Sequence, residues 1–137
     1  YDMEGAKVAF LTMGSTGETV SLAVDELRKQ GKAAGQLKLR LWRPFPFEEL
    51  AELVKGLDQI IVIDRAISFG GPGGPVASEI RNALYHQDNM PYVTNYVCSL
   101  AGRDITANDF IKIYEESTNA SEEELKRNDY TIYGVRE

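Results

Sequence analysis

Gln59-Ile60-Ile61-Val62-Ile63-Asp64, followed at once by Arg65-Ala66-Ile67-Ser68-Phe69-Gly70-Gly71-Pro72-Gly73-Gly74-Pro75, is the stretch on which the fold turns. An unbroken run of β-branched residues reads as a parallel strand covered on both faces, and its place is the centre of a sheet. The segment after it has low helix and strand propensity. Pro75 suits the first position of a helix, where its missing N–H costs nothing. Val76, Ile80, Ala83 and Leu84 then fall on one face of that helix.

Working outward, Lys7–Met13 is a second near-continuous apolar strand, ending at Gly14-Ser15-Thr16-Gly17. Ser15 with Glu18 three residues on predicts a capping box. Val20, Ala23, Val24 and Leu27 give the following helix its apolar face, and Lys29 and Gly31 end it. Leu37–Trp42 alternates instead, with Leu37, Leu39 and Leu41 against Lys38, Arg40 and Trp42. Alternation predicts one wet face and a position near the sheet edge. Arg43-Pro44-Phe45-Pro46 forces an extended turn. A helix over Phe47–Lys55 should then bury Leu50, Leu53 and Val54, closed by Gly56. Downstream, Tyr92–Val97 is a fourth strand. Thr106 and Asp109 open a helix that packs through Phe110, Ile113 and Tyr114, and Ser121 with Glu122-Glu123-Glu124 marks one more helix start. The tail Tyr130–Glu137 is polar with interspersed aromatics and carries no assignment.

Strands alternating with helices predict a three-layer α/β/α domain around a mostly parallel sheet of four to five strands. With the first and third strands in the middle, the loops Gly14–Gly17 and Arg65–Gly74 meet at the switch point where open α/β sheets bind ligands.

Composition narrows the function classes. The 137 residues fit one domain. A net charge of −6 argues against a nucleic-acid or anionic-membrane surface, which needs clustered Lys and Arg. No run approaches the roughly 20 apolar residues of a membrane helix. The acidic Tyr1-Asp2-Met3-Glu4 does not resemble a secretory leader, and a chain without an initiator Met is expected to be a piece of a longer one. Cys98, the single cysteine, excludes an intrachain disulfide and iron–sulfur ligation within the chain. It reads as a small buried residue, and low cysteine usage is compatible with a reducing cytoplasm.

Residue chemistry defines no evident active site. Gly14, Ser15, Thr16 and Gly17 could offer N–H groups and a helix dipole to an anion. The turn lacks the Walker lysine and the three-glycine fingerprint, so a tight strand-to-helix turn is the leading reading and an anion site the alternative. Phe69–Pro75 precedes a helix as well and fits no nucleotide motif; an interface or packing role leads there. Asp64-Arg65 reads as a buried pair ordering the loop, and Arg103-Asp104 as a second such pair. His86, the only histidine, sits at a polar helix end, so no Ser/His/Asp set exists, nor any Cys/His metal spacing.

The order of motifs carries more. Lys38-Leu39-Arg40-Leu41-Trp42-Arg43-Pro44-Phe45-Pro46 followed by a helix and Val62-Ile63-Asp64-Arg65 resembles the C-terminal domain of transketolase-like thiamine enzymes. With Ala9–Ser15, Asp64–Gly71, Arg81-Asn82-Ala83-Leu84-Tyr85, Gly102-Arg103-Asp104-Ile105-Thr106 and Tyr133-Gly134-Val135-Arg136-Glu137, the series resembles the α chain of 2-oxoacid:ferredoxin oxidoreductases of the pyruvate type. The resemblance implies a complex that uses thiamine diphosphate, magnesium, iron–sulfur clusters and coenzyme A, with ferredoxin as electron acceptor. It implies a five-stranded sheet with one antiparallel strand, the fifth coming from the start near Tyr1 or the tail near Tyr130–Tyr133. No thiamine-activating or cluster residue carries over, so this domain, residues 1–137, is expected to be noncatalytic and to contact other subunits. Lys38, Arg40, Trp42, Arg65, Phe69, Gly70 and Gly71 are the interface candidates. The alternative is a stand-alone domain binding coenzyme A or another anion at its glycine-rich loops.

Overall fold

A computed structural model describes residues 1–135. Five strands, β1 (Val8–Met13), β2 (Ala34–Leu39), β3 (Gln59–Asp64), β4 (Tyr92–Val97) and β5 (Thr131–Ile132), form one sheet in the order β2-β1-β3-β4-β5. Every strand pair is parallel. The apolar run Ile60–Ile63 occupies the central strand, and all six β3 residues are buried. The chain leaves β1 for β2 on one side and returns to β3 on the other, so the switch point lies between β1 and β3.

Alternate strand residues divide the core in two. Ala9, Leu11, Ile60 and Val62 face α2 (Phe47–Leu53) and α3 (Pro75–Leu84), packing on Leu50, Val76, Ile80 and Leu84. Val8, Phe10, Ile61 and Ile63 face α1 (Thr16–Lys29) and α4 (Ala107–Asn119), packing on Val20, Val24, Leu27, Phe110 and Ile113. Phe10 meets Phe110 edge-on at 6.0 Å between ring centroids, a favoured aromatic geometry. The fold is therefore the three-layer α/β/α sandwich that the pattern predicts.

Several local expectations are corrected. β2 starts and ends three residues earlier than the alternation implied, because it pairs residue for residue with β1, from Val8 with Ala34 to Met13 with Leu39. Its opening Ala34-Gly35 has low strand propensity and hides the start. A Cβ at Gly35 would sit 2.9 Å from Ala6 Cβ and Met3 Sδ, so the N-terminal segment packs directly on its backbone. Leu53 is exposed and Leu57 takes its place in the core. Ser15 makes no cap hydrogen bond: its backbone is already helical (φ −63, ψ −26), whereas a capping side chain needs an extended residue.

The implied mixed sheet is also corrected. The tail supplies β5, which is parallel because α4 and the short α5 (Glu122–Leu125) carry the chain back across the sheet. Tyr133 extends the pairing through its N–H to Val97 O at 2.9 Å. Arg136 and Glu137, which end the tail motif, lie outside the described residues. At the other edge Tyr1 alone runs antiparallel: its ammonium donates to Gln36 O and the Gln36 N–H donates to Tyr1 O, both at 2.9 Å. That reciprocal exchange is the signature of an antiparallel pair.

The expected start of α4 holds. Asp109 Oδ2 accepts from the Thr106 N–H at 2.9 Å and the Thr106 hydroxyl at 2.7 Å, while Thr106 Oγ1 accepts from the Asp109 N–H. Tyr133 donates to the other carboxylate oxygen at 3.2 Å. The Thr106 bonds, then that of Tyr133, hold the Asp109 carboxyl below its ordinary range. A depressed folded-state pKa stabilises the fold above the unfolded value and loses that effect as pH falls through the folded one. Wild type should therefore exceed Asp109→Asn by no more than about 0.3–0.5 kcal/mol above about pH 5, since solvent screens this partly exposed carboxylate, the gap closing as pH falls below about 4, as read by urea titration at each pH.

Candidate functional site

Asp64 ends the central strand and is 2% exposed. Its Oδ1 accepts from the Val76 N–H at 2.9 Å, and its Oδ2 accepts from the Ala77 N–H at 3.1 Å and from Asn95 Nδ2 at 3.0 Å. α3 has Gly74 at its N-cap and no capping side chain of its own, so a carboxylate from the neighbouring strand performs that task. Asn95, buried on β4, closes the arrangement by accepting from the Gly74 N–H at 2.9 Å and donating to Val62 O at 3.3 Å. Burial pushes the Asp64 carboxyl above its ordinary range, opposed by these N–H groups and by the Arg81 charge.

This clasp explains Gly73 and Gly74. A Cβ on Gly74 would overlap the Asp64 carboxylate, and one on Gly73 would come within 2.5 Å of Asn95 Oδ1. Gly73 also has φ +139, which favours glycine. The expected Asp64–Arg65 pair is corrected: Asp64 does order the loop, but through backbone N–H groups and Asn95, while Arg65 is exposed. Arg103 likewise bonds to Gly134 O rather than to Asp104.

At the other side of the switch point, Gly17 is buried against Thr12 Oγ1 (3.2 Å from a Cβ position) and the Lys38 stem at 3.5 Å. The fully buried Gln36 donates to Gly17 O at 2.8 Å and to Thr12 Oγ1 at 3.2 Å, and accepts from Ser21 at 2.8 Å. Gly14 adopts φ +82 to make the turn, Ser15 is exposed, and Thr16 is buried. The turn is thus packed from below by a polar network within the chain.

The interface candidates divide. Lys38 pairs with Glu18 at 3.0 Å, and Arg40 is exposed beyond the end of β2. Trp42 is half-buried, edge-on to Phe45 at 6.0 Å with the Arg43 guanidinium 4.6 Å from its ring. Phe69 is 100% exposed, Gly70 stands beside it at φ +71, and the Gly71 N–H donates to Ser68 O at 2.8 Å. A mostly apolar opening lies elsewhere, a groove of about 640 Å³ between β2 and α2 lined by Leu11, Leu37, Leu39, Leu41, Leu50 and Leu53. Leu41 signalled this groove only as one member of an alternating run, and Asn95 only as a polar residue inside a strand. Among the described residues no three His, Cys, Asp or Glu side chains converge as a metal site would require, and no helix is long and apolar enough to cross a membrane.

Comparison with known proteins agrees with this architecture. The family model for pyruvate:ferredoxin oxidoreductase core domain II matches residues 6–110. Pyruvate synthase subunit PorA of Thermotoga maritima is 38% identical over 137 residues, all of this chain and 34% of that protein. Ketoisovalerate oxidoreductase subunit VorA of Pyrococcus furiosus is 41% identical over 114 residues, 83% of this chain and 29% of that protein. Among solved structures, a split-gene transketolase superposes with a TM-score of 0.63 at 18% identity, over 90% of this chain and 41% of that one. The 2-oxoglutarate:ferredoxin oxidoreductase of Magnetococcus marinus superposes with a TM-score of 0.58 at 19% identity, over 81% of this chain and 18% of that one. The chain belongs to the pyruvate:ferredoxin oxidoreductase core domain II family. It spans about one third of the length of the curated relatives it matches.

One substitution and one labelling experiment test the local construction. Gly74→Ala should destabilise the domain by about 2–4 kcal/mol in urea unfolding, since the added methyl displaces a buried, hydrogen-bonded carboxylate. Cys98 is fully buried, and burial, with Asp109 and Asp64 nearby, pushes its thiol up to about 12. Its labelling by a thiol reagent near neutral pH should be at least about a hundredfold slower in the folded chain than in urea.

Proposed function

We propose that residues 1–137 form a single noncatalytic domain of a 2-oxoacid:ferredoxin oxidoreductase, buttressing the catalytic domains and making subunit contacts. The observation that carries this reading is the match to a subunit named pyruvate synthase across the whole chain. The parent complex decarboxylates pyruvate oxidatively, passes acetyl to coenzyme A and delivers electrons to ferredoxin in the cytoplasm. Thiamine diphosphate, magnesium and iron–sulfur clusters supply that chemistry when bound.

The donor set of this chain does not fit an iron–sulfur cluster, which needs about four cysteines. Its one cysteine is buried with a raised thiol pKa, and its one histidine lies at the exposed end following α3. The clusters are therefore assigned to other parts of the complex, and the family reading places thiamine diphosphate and magnesium there too. The glycine-rich loop before α3 is a poor anion site for a separate reason: the N–H groups of Gly74, Val76 and Ala77 are already bonded to Asn95 and Asp64. For contacts, Lys38 and Arg40 beside the β2 groove form one surface, and Arg65, Phe69, Gly70 and Gly71 form another. Trp42, half-buried against Phe45, belongs to the first surface as well.

The test is ferredoxin reduction by the purified parent protein with pyruvate and coenzyme A. Turnover is expected from the parent and none from the 137-residue chain alone. An inactive parent with every 2-oxoacid offered, or a saturable rise in melting temperature when coenzyme A is added to the chain alone, would replace this reading with the ligand-binding one.

A further inference from the structure

The loop between β3 and α3 holds two side chains in water that the fold does not use. Phe69 is 100% exposed, whereas the other large exposed apolar side chains among the described residues range from 43% to 79%. Arg65 is exposed and forms no ion pair among the described residues. Such residues are unremarkable on a loose loop, but this loop is tied at its base and within its span. Asp64 and Asn95 hold Gly74 and the start of α3, the Ser68 N–H donates to Gly73 O at 2.9 Å, and the Gly71 N–H donates to Ser68 O at 2.8 Å. Arg81 adds bonds from α3 to Pro72 O, Val93 O and Asp129 O at 3.4, 3.2 and 3.0 Å.

Holding an aromatic tip in advance removes much of the ordering cost of docking it. Aromatic and arginine side chains are also the commonest anchors of protein interfaces. A fully exposed phenyl ring and a guanidinium with no ion pair among the described residues, carried by one loop, fit a protein pocket with a carboxylate at its rim, while one cation on a chain of net charge −6 is too little to hold a polyanion. We infer that the Arg65–Gly71 loop is a preformed plug for a socket on a part of the parent oxidoreductase outside residues 1–137. Phe69 enters an apolar pocket there and Arg65 meets a carboxylate at its rim. Asp64 and Asn95 are positioning residues that keep the plug ready. The inference rests on the domain reading above and names the contact that reading requires.

Photo-crosslinking in the parent protein tests it, with p-benzoylphenylalanine in place of Phe69. The expected product joins position 69 to a peptide outside residues 1–137 that carries apolar residues and at least one Asp or Glu. Irradiation that gives no such product, or joins position 69 only to residues within 1–137, overturns the plug. Adding Asn95→Ala should lower the crosslink yield about fivefold while the circular dichroism spectrum is kept, and an unchanged yield overturns the positioning role. If that variant does not fold, hydrogen exchange in the unsubstituted protein decides the same point. Protection of the Ser68 and Gly71 amides is expected, and exchange at free-peptide rates overturns it. Ferredoxin reduction by the same preparation separates the two readings. Activity without the crosslink removes only the plug, and an inactive parent removes the oxidoreductase reading whatever the crosslink shows.

Discussion

The Asp64 carboxylate, set against the first N–H groups of α3, is the constraint on which the switch-point side of this domain depends. A helix begins with several unpaired N–H groups, and burying them without partners costs about 1–3 kcal/mol each. α3 starts over the end of the central strand, where water is excluded and Gly74 offers no side chain. Asp64 satisfies Val76 and Ala77, and Asn95 satisfies Gly74. Each solves a problem the other creates, since the buried carboxylate needs donors and Asn95 Nδ2 is one of them. The order of the following loop, and the place of Phe69 on it, come from this exchange.

The opposite edge of the sheet is built on a different balance. β2 pairs on one side with β1 and on the other meets only Tyr1, so most of its outer edge lacks a strand neighbour among the described residues. Beneath that edge, Leu39, Leu41 and Leu53 border a groove rather than closing over the core. An edge flanked by Lys38 and Arg40 resists uncontrolled pairing with another strand, while the leucines beneath it favour coverage. Both tendencies suit a domain that sits inside a larger assembly.

What the sequence made legible follows from where one interaction dominates. Ile60–Ile63 could only be a strand buried on both faces, and Thr106 with Asp109 could only open a helix, because local chemistry and tertiary position agree there. β2 lies three residues ahead of its alternating stretch because its register is set by β1, and its first residues, Ala34 and Gly35, allow close packing under the N-terminal segment. Ser15 and Glu18 matched a capping pattern, yet the turn enters the helix with Ser15 already in helical geometry. Adjacency in sequence suggests an Asp64–Arg65 pair. The true partners of Asp64 lie 12, 13 and 31 positions away, and no local pattern announces an interaction of that span.

The glycine-rich turns show how one sequence signal can serve opposite ends. Glycines before a helix let something approach the backbone, and in nucleotide-binding folds that something is a phosphate drawn to the helix dipole. Here the approaching groups come from the chain itself. At Gly74 the approaching group is the Asp64 carboxyl, which accepts from the Val76 and Ala77 N–H groups at the start of α3. At Gly17 the neighbours are Thr12, Gln36 and the Lys38 stem. A domain whose own carboxyl fills the start of α3 gains a fixed loop there, and the N–H groups of Val76 and Ala77 are taken up within the chain.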